Sequence, residues 1–131
     1  MSTTIVELLR QHALKRPDQC AYTFLIDGEA GKADLNYAHL DDGARTIAAL
    51  LQDIDAGGAR ILLLYPPGLD YILAFFGCLY AGAIPVPVYP PDSARLHRTI
   101  GRLQSIVADA PPRSWFDCHR PSVSVTRSNA L

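Results

Sequence analysis

The segment from Tyr65 to Pro91, YPPGLDYILAFFGCLYAGAIPVPVYPP, constrains the fold of this chain more than any other. Its central run, Tyr71 to Val88, contains no charged residue and only just reaches the length of a membrane span. Two glycines weaken any long helix there, and two prolines remove backbone donors that a spanning helix would use. The segment therefore predicts a buried helix from Leu69 to Tyr80 followed by a short strand, and we expect no membrane span.

Two apolar runs flank this predicted helix. RILLLY, residues 60–65, has apolar side chains on both faces and a turn signal on each side, which is typical of an interior strand of a parallel sheet. With IPVPV, residues 84–88, it forms a βαβ crossover. The sequence offers no clear strands to cover RILLLY on both sides. We therefore expect exposed sheet edges, and with them self-association or aggregation.

The first half of the chain predicts two helices around a hairpin. Thr4 and Glu7 have the spacing of a capping box, so a first helix is expected to run to about Lys15. AYTFLI and ADLNY, separated by the glycine-containing turn DGEAGK, predict the hairpin. Asn36 is expected to cap a second helix, whose buried face comprises Leu40, Ala44, Ile47, Ala48 and Leu51.

The predicted last helix and the tail after it differ in periodicity and charge. Ser93 is expected to cap a helix with apolar residues at helical spacing from Leu96 to Val107. Residues 1–110 carry nine basic and twelve acidic side chains, whereas 111–131 carry three and one. We divide the chain into a domain, 1–110, and a divergent tail, 111–131, that is either disordered or read out of frame. Within the tail, only SVSVT has the pattern of a short strand.

Composition excludes several classes of function. The net charge of −1 and 49% hydrophobic content are those of a globular domain, without the basic surface that nucleic-acid binding needs. The residues after Met1 contain no basic leader before an apolar core, so we expect a cytoplasmic protein. Its three cysteines match no metal or redox spacing, and we expect free thiols.

Several segments in this order resemble a known family. The pieces LLRQHALKRPDQCAYTFL, LNYAHLDDGARTIAALLQ and SARLHRTIGRLQSIVADA are similar to the start of adenylate-forming ligases. GCLYAGAIPVPVYPP is most similar to fatty acyl-AMP ligases and related acyl-loading domains of polyketide synthases. The resemblance covers about residues 5–110. It implies an α/β fold, namely the amino-terminal part of the large ligase domain, with the hairpin and the βαβ unit.

The resemblance also implies an activity for the parent enzyme. Such ligases use ATP and Mg²⁺ to convert a fatty acid to an acyl-adenylate, which is passed to an acyl carrier protein or polyketide synthase. This sequence contains no Ser-Gly-Ser-Thr-Gly-like phosphate loop and no carboxy-terminal lysine domain. We therefore assign no catalytic, cofactor-binding or metal-binding residue, and expect the chain to be inactive alone. The alternative is a small α/β interaction module that acts through an exposed sheet edge.

Four residues are candidates for binding. Tyr89 follows the proline-rich strand and is a candidate for lining an acyl pocket, although prolines at a strand exit explain the pattern without a ligand. Arg95, Arg98 and Arg102 share one side of the last helix and are candidates for contacting an anion, with a solvated charge stripe as the alternative.

Other polar residues are expected to have structural roles. Asp41 and Asp42 are adjacent and point in different directions on a helix, so we expect a solvated face rather than an acid and base pair. The four histidines lie in separate segments without a second metal ligand nearby, and we expect none to bind a metal.

Overall fold

The structure is a computed structural model that describes residues 3–26, 31–55, 57–88, 96–109, 114–117 and 120–124. It is an α/β fold with a two-stranded and a four-stranded sheet. The elements in chain order are α1 (Ile5–Lys15), β1 (Cys20–Ile26), β2 (Gly31–Asn36), α2 (Tyr37–Asp53), β3 (Arg60–Leu64), α3 (Leu69–Tyr80), β4 (Ile84–Val88), α4 (Leu96–Asp109), β5 (Ser114–Asp117) and β6 (Arg120–Ser124).

Side chains cap the amino-terminal ends of the first two helices, as predicted. The Thr4 hydroxyl accepts a hydrogen bond from the Glu7 N–H at 3.2 Å, and the Glu7 carboxylate accepts one from the Thr4 N–H at 2.8 Å. Asn36 Oδ1 accepts from the His39 N–H at 2.8 Å at the start of α2. Each cap satisfies backbone donors that have no partner within the helix. Ser93, the predicted cap of the last helix, lies outside the described residues.

The hairpin shares an apolar cluster with helices α1, α2 and α3. β1 and β2 pair antiparallel in a two-stranded sheet, which confirms the predicted hairpin. Leu35 of β2 is buried beside Leu9 of α1 and Phe76 of α3. The five apolar residues predicted for the inner face of α2 are buried, except Ile47, which is half-buried.

Helices α2 and α3 approach each other closely at glycines. A Cβ atom built on Gly77 would lie 2.5 Å from Ile47 Cγ2 and 3.3 Å from the Ala44 carbonyl oxygen. A Cβ on Gly43 would lie 2.5 Å from Leu73 Cδ2. The absence of side chains at these two positions therefore sets the spacing between the helices.

The four-stranded sheet has the strand order β4-β3-β5-β6. β3 pairs in parallel with β4, which confirms the predicted βαβ unit, and also in parallel with β5. Ile61 and Leu63 of β3 are fully buried with Ala74 and Cys78 of α3. The expectation that RILLLY lacks covering strands is wrong, because β5, drawn from the segment after residue 110, lies on its second side.

The tail contains more regular structure than a single short strand. β5 pairs in parallel with β3, and β6 pairs antiparallel with β5. β6 overlaps the predicted strand SVSVT at residues 122–124. The sequence signal for β5 was weak because SWFD is a short run that ends in an acidic residue. The domain boundary at residue 110 and the origin of the tail stay predictions.

Candidate functional site

A groove of about 450 Å³ opens where the carboxyl ends of β3 and β4 meet the hairpin. This volume lies within the range of about 300–1,000 Å³ that small-molecule sites occupy. Ligands of α/β proteins bind preferentially at the carboxyl ends of parallel strands. Its walls come from β1, the β3–α3 loop, the start of α3 and the end of β4, and comprise Tyr22, Thr23, Phe24, Tyr65, Pro67, Gly68, Leu69, Tyr71, Ile72, Pro87 and Val88.

Local sequence explains three of the four walls of the groove. Alternation along β1 places Tyr22 and Phe24 on the same face of the hairpin, opposite Leu35 and Ala33 of β2. The Pro66-Pro67-Gly68 turn then ends β3 and begins α3 directly at the groove. Gly68 is the N-cap residue, so no side chain caps the first turn of α3.

Aromatic contacts hold two of these walls against the core. The ring centroids of Tyr22 and Phe76 lie 6.2 Å apart, and those of Tyr71 and Phe75 lie 6.1 Å apart. Phe75 and Phe76 meet edge to face at 5.9 Å. These separations fall within the range for favourable aromatic pairs. Two rings of the groove lining, those of Tyr22 and Tyr71, are therefore packed against other aromatic rings.

The groove lining carries no charged side chain. The polar side chains of the lining are those of Tyr22, Tyr65, Tyr71 and Thr23. The hydroxyl of Thr23 is already engaged, because it donates to Asp34 Oδ1 at 2.8 Å. A surface of this kind favours an apolar ligand, since a buried charge would find no partner on the walls.

Apart from the groove, a cluster of polar side chains joins α2 to α3. Tyr80 Oη donates to Asp41 Oδ1 at 2.8 Å, and Arg45 Nε donates to Asp41 Oδ2 at 2.9 Å. Asp41 is only 9% exposed, whereas Asp42 is exposed. The expectation of a solvated face is therefore wrong for Asp41, which has one partner on α3, Tyr80, and one on its own helix, Arg45. Burial and the hydrogen bond to Asp41 both raise the pKa of Tyr80.

The structure leaves the four binding candidates untested. Tyr89 and Arg95 lie outside the described residues, as does the side chain of Arg98. Arg102 is exposed on α4 and does not line the groove. Val88, the residue before Tyr89, does line it. The role of Tyr89 in an acyl pocket stays a prediction. Sequence reasoning missed the β1 wall of the groove, for which the alternation in AYTFLI was the available signal.

Two cysteines are described, and both are free thiols. Cys20 is exposed, whereas Cys78 is fully buried, and this burial raises its pKa to about 12. Among the described residues, no three His, Cys, Asp or Glu side chains are grouped so that they could hold a metal ion. In the same part of the chain, every helix is too short or too polar to cross a membrane.

Comparison with known proteins supplies the family. The family described as "AMP-binding enzyme" matches residues 9–129. The chain is 45% identical over 108 residues to the medium-chain-fatty-acid–[acyl-carrier-protein] ligase JamA of Moorena producens, covering 82% of this chain and 18% of that protein. It is 40% identical over 106 residues to Disco-interacting protein 2 of Drosophila melanogaster, covering 79% of this chain and 6% of that protein.

A solved structure agrees in fold and sequence. It is the fatty acyl-adenylate ligase of Legionella pneumophila in complex with acyl adenylate and pyrophosphate, which matches with a TM-score of 0.74 and 42% identity. The match covers 82% of this chain and 18% of that chain. The chain therefore spans less than a fifth of the length of these relatives.

Proposed function

Because the chain belongs to the AMP-binding enzyme family, we propose that it forms one part of a fatty acyl-AMP ligase and that its groove holds the acyl chain. The observation that carries this proposal is the uncharged, aromatic lining of the groove at the carboxyl ends of β3 and β4. Each methylene buried there would contribute about 0.8 kcal/mol to binding. The groove thus supplies affinity for the chain of the substrate rather than for its carboxylate.

The proposed reaction of the whole enzyme has two steps. A carboxylate oxygen of the fatty acid attacks the α-phosphorus of ATP, the bond to the β-phosphate breaks, and pyrophosphate leaves. The acyl group of the resulting adenylate then passes to an acyl carrier protein or polyketide synthase, and AMP leaves. The similarity to a fatty acid ligase that uses acyl carrier protein supports this choice of acceptor.

The described residues do not fit ATP or Mg²⁺. The metal-ligating groups are scattered, and the sequence has no loop rich in glycine, serine and threonine to surround a triphosphate. We therefore place nucleotide binding in other parts of the enzyme and derive no step of it from these residues. On this proposal the 131-residue chain alone releases no pyrophosphate from ATP and a fatty acid.

A chimera tests the proposed function. The matching segment of the Legionella pneumophila ligase is replaced by this chain, which is 42% identical to it. We expect the chimera to release pyrophosphate from ATP when a fatty acid is supplied, at a rate well above a blank. A chimera that folds, binds ATP and forms no acyl-adenylate with any fatty acid tested would refute the proposal.

Two tryptophan substitutions in the chimera test the groove itself. Val88 is half-buried and lines the groove, so Val88→Trp is expected to fill it and shift use towards shorter fatty acids. Ile84 lies on the same strand, is 50% exposed and does not line the groove. Ile84→Trp is the matched control and should leave the chain-length profile unchanged. Equal profiles for both variants would place the acyl chain elsewhere.

The interaction module is the weaker proposal. It requires an open sheet edge. β3, the strand first expected to be open, is paired on both sides, so the edge strands of the described four-stranded sheet are β4 and β6. Self-association of the chain remains a prediction that sedimentation at several concentrations would test. We also propose a cytoplasmic location, because free thiols such as Cys20 and Cys78 are typical of a reducing compartment.

A further inference from the structure

The backbone of β4 is oriented by two hydrogen bonds. The Ile84 N–H donates to the Ala59 carbonyl at 2.8 Å, and the Gly82 carbonyl accepts from the Gly58 N–H at 2.8 Å. The backbone groups of residues 82 and 84 therefore point towards the segment that contains β3. The parallel register Leu62↔Val86 and Leu64↔Val88 continues this pattern.

The backbone groups of successive residues in a strand point alternately to its two sides. Since residues 84, 86 and 88 point towards β3, residues 85 and 87 point towards the opposite, outer edge. Both are proline and have no backbone N–H. In the described part of the chain, no strand pairs with β4 on that side. The outer edge of β4 thus presents two carbonyl acceptors and no donor along its whole length.

We propose that Pro85 and Pro87 close the β4 edge of the sheet to strand addition. An incoming strand would find no donor for its own carbonyl groups there, and a buried carbonyl without a partner is unfavourable. A β-strand of a partner protein or of a second copy would therefore not pair with the outer edge of β4. Pro87 also lines the groove, so the same residue closes the edge and forms part of the groove wall.

Restoring the two donors tests this proposal. In the 131-residue chain, the double variant Pro85→Val with Pro87→Val regains both outward N–H groups. We expect its self-association, measured by sedimentation velocity over a concentration series, to become about tenfold tighter than that of the unmodified chain. The control is Pro17→Val with Pro66→Val, two exposed prolines outside any strand, which should leave association unchanged.

Amide hydrogen exchange tests the orientation of the backbone at residues 85 and 87 separately from its effect on self-association. At concentrations where the double variant is monomeric, the new amides at 85 and 87 should exchange rapidly, while those of residues 84 and 86 stay protected. Protection of the new amides in the monomer would show that they face β3. Association equal to that of the unmodified chain would overturn the proposal as well. Should the double variant not fold, Pro87→Val alone gives the same two readings with one donor restored.

Discussion

Replacing Gly77 by alanine should separate α2 from α3. The added Cβ would lie 2.5 Å from Ile47 Cγ2 and 2.6 Å from Ile47 Cβ, whereas carbon atoms in contact prefer about 3.5–4.0 Å. Ile47 Cβ is bonded directly to the backbone and cannot rotate away, so one helix must shift by about 1 Å. Overpacking of this kind costs roughly 1–3 kcal/mol, while alanine in a helix gains about 1 kcal/mol over glycine.

The expected net loss is therefore up to about 2 kcal/mol in the free energy of unfolding. Urea denaturation followed by circular dichroism measures it. Gly101→Ala is the matched control, because Gly101 also lies within a helix but an added Cβ would meet nothing within 4 Å. That variant should gain roughly 0.5–1 kcal/mol. If Gly77→Ala raises the free energy of unfolding as much as Gly101→Ala does, the result contradicts a close approach of α2 and α3 at Gly77.

Two further variants and one measurement of thiol reactivity test particular contacts. Tyr80→Phe removes the hydroxyl that donates to buried Asp41, and should lower the free energy of unfolding by about 1–3 kcal/mol in thermal or urea denaturation. Thr4→Ala removes the α1 cap and should cost about 1 kcal/mol by the same measurement. Cys20 should react with a thiol reagent in the folded chain, whereas buried Cys78 should react only after unfolding. Because the pKa of Cys78 is raised to about 12 from 9.0, stability should fall as pH rises through that interval.

Each of these three tests has a control. Asp42→Asn lies beside Asp41 but is exposed, so it should change stability little, and a loss as large as that of Tyr80→Phe would contradict the assigned contact. Thr3→Ala, one residue before the cap, should be neutral. The thiol measurements use a Cys118→Ser background, so that only the two described cysteines report. Fast reaction of Cys78 in the folded state would show that the α3 core is open.

Much of the fold follows from local sequence. The capping box at Thr4, the cap at Asn36 and the hairpin depend on neighbouring residues, so their patterns were sufficient. The uncharged run from Tyr71 to Val88 was also sufficient, because its glycines and prolines exclude one long helix. Long-range strand pairing does not follow from local sequence. β5 is recognisable as a strand only beside β3, whose second side it covers.

The polar cluster and the groove also do not follow from local sequence. Asp41 looks like a surface residue in the sequence, because its partner Tyr80 lies on another helix, 39 positions later. The groove joins β1 to the strand ends of the βαβ unit, and no local pattern relates these segments. Sequence alternation could place Tyr22 on a face of the hairpin, but only the fold brings that face to Tyr71 and Val88.

The most direct test of the central claim is the position of a bound acyl chain. Decanoate, kept below its micelle concentration, is titrated into the isotopically labelled chain, and nuclear Overhauser effects from its methylene protons are recorded. If the groove holds the acyl chain, we expect contacts to the rings of Tyr22, Phe24 and Tyr71, and loss of those contacts in Val88→Trp but not in Ile84→Trp. Saturable binding with contacts only to residues outside the groove would contradict it.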